Sequence, residues 1–387
     1  MQILRRTLTV LFLLPLCFSA ASAGGQTTPA STAQATPGNS PANEDYTRRE
    51  IQPNLGVDRD PVLSPDAADN GPVTATSAVT ATKAQGSNVY TLHENVDEVL
   101  LPCTVIDQNG NLITDLTQRD FRVWEDNVPQ TITSFDHRDV PVSLGILVDN
   151  SGSMRDKRDA VDAAALELVR ESNPGDTAFV VNFNEKAYLD QGITSNISYL
   201  ERGLSHYDAR GETAIYDAVV ASADELSHHA KSPKQVLLVI TDGADNASRM
   251  SLAQAIRRVQ QLNGPVVYTI GLLYDADSKQ EAQNARDALQ ELSNDTGGFA
   301  YFPNSLRDVN WIATEVAHVI RNQYTVGYHS SNPPSNGGYR RVRVVAAEGK
   351  RGAFIVKTRS GYYPREIKQM QNAVQTAQDV KPAQQQP

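Results

Sequence analysis

A short segment of the chain combines one carboxylate with two hydroxyls at alternate positions. It consists of Asp149, Asn150, Ser151, Gly152 and Ser153, and three of these side chains offer hard oxygen donors. Oxygen donors of this kind are the ligands that Mg²⁺ and Mn²⁺ prefer in proteins. The central glycine permits a tight turn between them. The segment therefore indicates a metal-binding loop, although Ser, Gly and Asp are also common in turns that bind nothing.

Two later segments offer matching donors. Thr213 lies just before a predicted helix and adds a third hydroxyl, and Asp242 follows an apolar run and adds a second carboxylate. Because the carboxyl ends of parallel strands meet at one edge of a sheet, these segments are expected to converge there. The predicted metal-binding side chains are Asp149, Ser151, Ser153, Thr213 and Asp242.

Apolar runs that alternate with helical patterns from Pro141 onward are the elements that must position these donors. Continuous runs of this kind are typical of strands buried on both faces, and they cover Val142–Val148, Thr177–Phe183, Gln235–Thr241 and Val266–Gly271. Apolar residues recur at helical spacing over Asp156–Arg170, Ile215–His228, Leu252–Leu262, Lys279–Leu292 and Leu306–Arg321. The alternation predicts an α/β fold with a doubly wound, mostly parallel sheet.

Short β-like segments flank the α/β region on both sides. Val89–Phe135 contains the hairpin signal Asn109-Gly110, and the β pattern returns after Asn322. Two or three strands rarely stand alone, which favours one small β-sandwich interrupted by the α/β domain. Two unrelated β appendages are the alternative.

Both ends of the chain differ from the middle. Arg5 and Arg6 precede an apolar run and the triplet Ala21-Ser22-Ala23, which is typical of a cleaved export signal. The run is shorter than the roughly 20 residues of a membrane-spanning helix, so no transmembrane helix is expected after cleavage. We therefore predict a signal peptide at 1–23, a disordered linker at 24–87, β-domain parts at 88–138 and 323–365, the α/β domain at 139–322, and a flexible tail at 366–387.

Charge and cysteine content narrow the function classes. The formal charge is −10, and an acidic surface repels phosphate backbones, so nucleic acid is not an expected partner. Signal cleavage would remove Cys17 and leave Cys103, which lies in an apolar segment. One cysteine cannot form an internal disulfide, so we expect a buried structural thiol.

The order of the three donor segments resembles the metal-ion-dependent adhesion site of von Willebrand factor A (VWA) domains. Asp149-x-Ser151-x-Ser153, then Thr213, then Thr241-Asp242-Gly243 follow that pattern over about residues 142–322. The flanking segments, including Gly361-Tyr362-Tyr363, are similar to secreted acidobacterial VWA-related proteins.

The resemblance implies a role for each donor. Ser151 and Ser153 would bind the ion directly, Asp149 and Asp242 would act largely through water, and Thr213 would ligate when a partner is bound. The ion would be Mg²⁺, with Mn²⁺ or Ca²⁺ as alternatives, and a partner protein would present Asp or Glu to it. We expect a secreted or periplasmic adhesion or scaffold module.

The sequence gives little support to an enzyme. The segments G-x-S-x-G, H-E-x-x-H and G-x-x-x-x-G-K-[ST] do not occur in it. His228-His229 falls at a helix end, and Asp275-Ala276-Asp277 suggests an acidic surface loop rather than a second metal site. We expect no enzymatic activity. The alternatives are a structural envelope module whose metal only braces the loops and a metal-dependent hydrolase.

Overall fold

The computed structural model describes residues 49–53, 82–83, 90–91, 98–206, 209–348 and 352–364. All of them belong to one compact unit, Asp45–Pro387. The predicted signal peptide, most of the predicted linker and nearly all of the predicted tail lie outside the described residues.

Strands and helices are numbered in chain order. The strands are β1 Arg49–Ile51, β2 Thr82–Lys83, β3 Tyr90–Thr91, β4 Glu98–Ile106, β5 Phe121–Glu125, β6 Val128–Gln130, β7 Ile132–Asp136, β8 Val142–Asp149, β9 Thr177–Phe183, β10 Ala187–Thr194, β11 Lys234–Thr241, β12 Val266–Gly271, β13 Ala300–Tyr301, β14 Tyr324–His329, β15 Arg340–Glu348, β16 Gly352–Ala353, β17 Ile355–Lys357 and β18 Gly361–Tyr362. The α-helices are α1 Arg158–Arg170, α2 Ile197–Leu204, α3 Ile215–His229, α4 Leu252–Gln261, α5 Lys279–Thr296 and α6 Arg307–Arg321.

A mixed sheet forms the centre of the α/β region, with strand order β1-β10-β9-β8-β11-β12-β13. The five strands from β9 to β13 in this order are parallel, while β10 and β1 are antiparallel at one edge. Every residue of β8 is buried, because helices cover both faces of the sheet and one apolar core lies on each face. The predicted doubly wound, mostly parallel fold is confirmed.

Two antiparallel sheets lie beside the α/β region. Their strand orders are β17-β4-β14-β7 and β16-β15-β5-β6, with β18 paired to β15. Strands from before and after the α/β region pair directly with each other, as in β4 with β14 and β5 with β15. A shared core that includes Leu101, Phe121, Tyr324 and Val344 fills the space between the sheets. Cys103 belongs to this core and is fully buried, as expected from its apolar segment.

The structure contains elements that the sequence patterns did not indicate. β1 falls within the predicted linker, yet it pairs with β10, and Ile51 packs against the core of the sheet. A salt bridge of 2.8 Å between Arg49 and Glu225 adds to this contact. A three-residue strand is too short for its own periodicity to be detected, and only its partner strand defines it.

No helix in the described part of the chain is long and apolar enough to cross a membrane.

Candidate metal centre

Backbone hydrogen bonds join three loops at the carboxyl edge of the parallel strands. The loop after β8 is tied to the end of β9, where the Asn150 amide donates to the Phe183 carbonyl at 2.6 Å. It is also tied to the loop before α3, because Arg210 N donates to Asn150 O at 2.9 Å. Because β8 and β11 are parallel neighbours, the segment with Asp242 that follows β11 lies at the same edge.

Asp149 is the last residue of β8, and its side chain is fully buried. One carboxylate oxygen accepts the Ser151 amide at 2.8 Å, and the other accepts the Thr241 hydroxyl at 2.6 Å. Burial raises the pKa of Asp149 to about 6, although these hydrogen bonds oppose the shift, and the nearby Asp242 charge adds to it. A cation beside this carboxylate would favour its ionised form.

A short chain of oxygen atoms runs across the edge beside Asp149. The hydroxyls of Ser151 and Ser153 lie 3.2 Å apart, and the Ser153 hydroxyl donates to Asp242 Oδ1 at 2.8 Å. Thr213 is buried, and its backbone is bonded to the loop after Asp242 through Asn246, whose Oδ1 accepts the Thr213 amide at 2.8 Å. The structure thus links Ser151, Ser153 and Asp242 by side-chain hydrogen bonds. The Asp149 carboxylate joins this group through the Ser151 amide, and Thr213 is placed through its backbone.

The donor set fits a hard divalent cation. Adjacent ligands of an octahedral Mg²⁺, each at 2.0–2.1 Å, stand about 3 Å from each other. The separations of 3.2 Å between the serine hydroxyls and 2.8 Å from Ser153 to Asp242 agree with that spacing. Within the described ranges, no group of three or more His, Cys, Asp or Glu side chains could hold a metal ion. The candidate centre instead combines two carboxylates with three hydroxyls.

Two charged residues that the sequence did not assign also belong to this edge. Lys157, just before α1, places its ammonium 2.6 Å from Asp242 Oδ2 and 3.0 Å from Asp275 Oδ1. Burial disfavours the charged lysine, but the two carboxylates outweigh it and raise the pKa of Lys157. Asp275 therefore contacts the edge of the site instead of forming a second metal loop.

Asp245, in the loop after Asp242, has a different role. Its Oδ2 accepts the Tyr216 amide at 3.1 Å and the Ser248 hydroxyl at 2.5 Å. A carboxylate at a helix amino terminus satisfies amides that have no partner within the helix. Asp245 thus stabilises the start of α3 next to Thr213.

Two of the cavities in the described part of the chain lie at the edge of the sheet opposite the candidate centre. A mostly apolar one of about 250 Å³ contacts Val142 and Thr177 at the starts of β8 and β9, together with Ile320 near the end of α6. A larger cleft of about 780 Å³ lies between the β-sandwich and the start of β11 at Lys234. Both are at the amino-terminal ends of the parallel strands, opposite the oxygen donors.

Residues 144–244 match the family described as von Willebrand factor type A domain. The match spans all five predicted donors, from Asp149 to Asp242. No curated protein matches the chain.

Several solved structures are remotely similar to the chain. Proximal thread matrix protein 1 from the mussel byssus has 16% identity and a TM-score of 0.38, and the match covers 51% of this chain and 49% of the mussel protein, about half its length. A further structure of the mussel protein, with 16% identity, a TM-score of 0.39 and 52% and 50% coverage, has a zinc-occupied MIDAS motif. A von Willebrand factor type A protein from Catenulispora acidiphila has 15% identity, a TM-score of 0.40, and 69% and 75% coverage.

An aerotolerance-related membrane protein from Bacteroides fragilis has 18% identity and a TM-score of 0.39. The match covers 46% of this chain and 98% of the Bacteroides protein. The family match assigns residues 144–244, and the mostly parallel sheet with its flanking helices agrees with it. The chain therefore contains a von Willebrand factor type A domain.

Proposed function

We propose that this chain is an exported binding module that captures a partner protein through a divalent cation. The cation would be held by Asp149, Ser151, Ser153, Thr213 and Asp242. The observation that supports this most is the pair of hydroxyls of Ser151 and Ser153, whose 3.2 Å separation suits adjacent ligands of one ion, beside the Asp242 carboxylate that accepts from Ser153. VWA domains are generally interaction modules, which agrees with a binding role rather than an enzymatic one.

A bound Mg²⁺, or Mn²⁺ or Ca²⁺ in its place, would supply positive charge and a free coordination position for an Asp or Glu of the partner. The chain's own residues prepare that position. Asp149 is held by Thr241 and by the Ser151 amide, so its oxygens are fixed before any ion arrives. Neutral hydroxyls supply three of the five donors, which leaves much of the ion's charge for the partner's carboxylate.

Tyr274 offers the partner an apolar contact next to the proposed metal site. It is 39% exposed, and its ring centroid is 5.9 Å from the Lys157 ammonium. Tyrosines are enriched among the residues that dominate protein interfaces. We infer that the partner surface covers Tyr274 while its acidic residue reaches the metal. The predicted signal peptide supports a secreted or periplasmic location for this contact.

A structural module with a bracing metal is the second candidate. It is favoured by the hydrogen bonds that already join Asp149, Ser153 and Asp242 to neighbouring groups. In that case an ion would stabilise the loops, and the partner would contact another surface.

A pull-down from envelope and secreted fractions separates these candidates. The full chain is tested with Mg²⁺, with chelator and as Asp149→Ala, and Asp277→Ala serves as a control because Asp277 is exposed on a nearby loop. We expect one partner that is retained with Mg²⁺ by the wild type and by Asp277→Ala only. Equal retention under all conditions would contradict metal-bridged binding and favour the bracing role. Zn²⁺ is included as a competing ion.

A further inference from the structure

Lys157 shares Asp242 with the proposed metal ligands. Its side chain is only 11% exposed, and its ammonium contacts Asp242 Oδ2 at 2.6 Å. The other oxygen of the same carboxylate, Oδ1, accepts the Ser153 hydroxyl at 2.8 Å. Asp242 thus faces a fixed cation of the protein on one side and the candidate metal site on the other.

We propose that Lys157 sets the charge of this centre so that it binds a divalent cation weakly alone and more tightly together with a carboxylate. This role rests on the proposed function. Lys157 would make the centre select an anionic partner. Lys157 acts through Asp242 and by its charge, and it does not itself ligate the ion.

The charges of the buried groups support this assignment. Asp149 is fully buried and the side chain of Asp242 is 1% exposed, so together they would balance a divalent cation. The buried Arg158, which contacts the Asp149 carbonyl, is paired with Asp162, so Lys157 then leaves the centre with one surplus positive charge. Asp275 is 46% exposed, and solvent screens its opposing charge. One carboxylate of a partner would bring the centre to neutrality.

Lys157 therefore affects the metal and the anion in opposite directions. Its positive charge repels a second cation that also depends on Asp242, and it attracts an anion that approaches the same edge. The coupling is reciprocal, so an anion that binds the metal-loaded centre must tighten the metal by the same factor. Removal of the charge at 157 should strengthen metal binding and weaken this coupling.

The test is calorimetric titration of the full chain with Mg²⁺ alone. Lys157→Met keeps most of the unbranched side chain and removes its charge. Lys231→Met is the matched control, because Lys231 is exposed near the start of β11, at the opposite edge of the sheet. We expect Lys157→Met to bind Mg²⁺ at least about tenfold more tightly than the wild type, equivalent to about 1.4 kcal/mol. Lys231→Met should bind like the wild type.

A second variant should weaken Mg²⁺ binding, and a second probe, acetate, should strengthen it. Asp275→Asn affects a half-exposed side chain and leaves the Lys157 charge less compensated, so it should weaken Mg²⁺ binding about two- to fivefold. Sodium acetate, compared with sodium chloride at equal ionic strength, should tighten Mg²⁺ binding in the wild type and have a smaller effect in Lys157→Met. Thermal unfolding in excess Mg²⁺ checks that each variant is folded.

The outcomes separate this inference from the proposed function. Wild-type binding with equal or weaker binding by Lys157→Met would overturn the role of Lys157 and leave the metal site standing. If only Lys157→Met bound Mg²⁺, the inference would be supported in its strongest form. If neither the wild type nor any variant bound Mg²⁺, the proposed function would fail, and this inference with it.

Discussion

Arg158 holds the backbone that carries the first residue of the candidate centre, Asp149. It is fully buried, and its guanidinium donates to the carbonyl of Asp149 at 3.3 Å, to Asn182 Oδ1 at 2.9 Å and to the carbonyl of Leu204 at 2.9 Å. These bonds fix the backbone at the end of β8. One carboxylate, that of Asp162, lies 3.1 Å from the same guanidinium.

The stability of the protein should depend on the titration of Asp162. Burial raises its pKa to about 6, and the charge of Arg158 only partly opposes this shift. Because the folded pKa is the higher one, Asp162 contributes stability that is full below about pH 4 and is lost as the pH rises through about 6. Asp162→Asn removes the titrating group. The free energy of unfolding of the variant should therefore rise by about 1–3 kcal/mol relative to that of the wild type as the pH increases from 4 to 7.

Urea unfolding at several pH values, with chelator present, measures this difference. Asp277→Asn is the control, because that side chain is exposed. Parallel pH profiles for the wild type and Asp162→Asn would mean that Asp162 is ionised throughout this range.

The positions of the candidate ligand residues could be predicted from the sequence more readily than those of the residues around them, and metal binding by these residues stays a prediction. Asp149 and Asp242 were detectable because each ends a buried strand. The contact of Lys157 with Asp242 and Asp275 was not, because it depends on how the loop after β12 meets the start of α1. A lysine next to a helix start usually lies in solvent. The only sequence signal for the contact was that Lys157 closely follows a loop predicted to lie beside two carboxylates.

At the scale of the elements, two glycines lie in facing loops of the candidate site: Gly211 before α3 and Gly152 after β8. The backbone conformation requires a glycine at 211 more than at 152. Gly211 has φ +78°, and its carbonyl accepts the amide of Gly152 at 3.4 Å. An added Cβ at Gly211 would meet the carboxylate of Glu185, whereas the space around Gly152 is open. Glycine at 152, expected from the sequence to permit the turn, is thus not required for backbone reasons, and the required glycine lies in the facing loop.

Gly211→Ala should therefore weaken Mg²⁺ binding and lower stability, while Gly152→Ala should change both little. The left-handed backbone alone costs about 1–2 kcal/mol with a side chain present, and any relaxation moves the loop that carries Thr213. Calorimetric Mg²⁺ titration and thermal unfolding of both variants measure the two effects. Equal behaviour of the two variants would show that the conformation at Gly211 does not support the site.

On the scale of the whole molecule, the β-sandwich is fixed to the carboxyl end of α5. Lys357 Nζ donates to Asn294 Oδ1 at 2.7 Å, and the Ser360 amide donates to the carbonyl of Asp295 at 3.2 Å. Gly297 ends the helix with φ +96°, and a Cβ there would lie 2.8 Å from the backbone nitrogen of Arg359. The sequence indicated both β segments, but this docking depends on a helix end and a strand from distant parts of the chain.

We expect the sandwich and the VWA domain to unfold together, and Gly297→Ala to weaken that coupling. Gly110→Ala is the matched control, because Gly110 has φ +87° with nothing within 4 Å of an added Cβ. The backbone term of about 1–2 kcal/mol is common to both substitutions, so a larger loss at Gly297 reports the contact with the sandwich. Differential scanning calorimetry should show one transition in the wild type and a lower melting temperature for Gly297→Ala than for Gly110→Ala. Equal losses would indicate that the two parts are not tightly docked.

The most direct test of the account is whether the candidate metal centre holds an ion. Titration of the full chain with Mn²⁺, followed by electron paramagnetic resonance, counts bound ions and gives their affinity. We predict one ion per chain, with affinity at least about tenfold lower in Ser153→Ala and Asp149→Asn and unchanged in Asp277→Asn. Binding of Mn²⁺ with wild-type affinity by Ser153→Ala and Asp149→Asn would place the ion elsewhere and contradict the account.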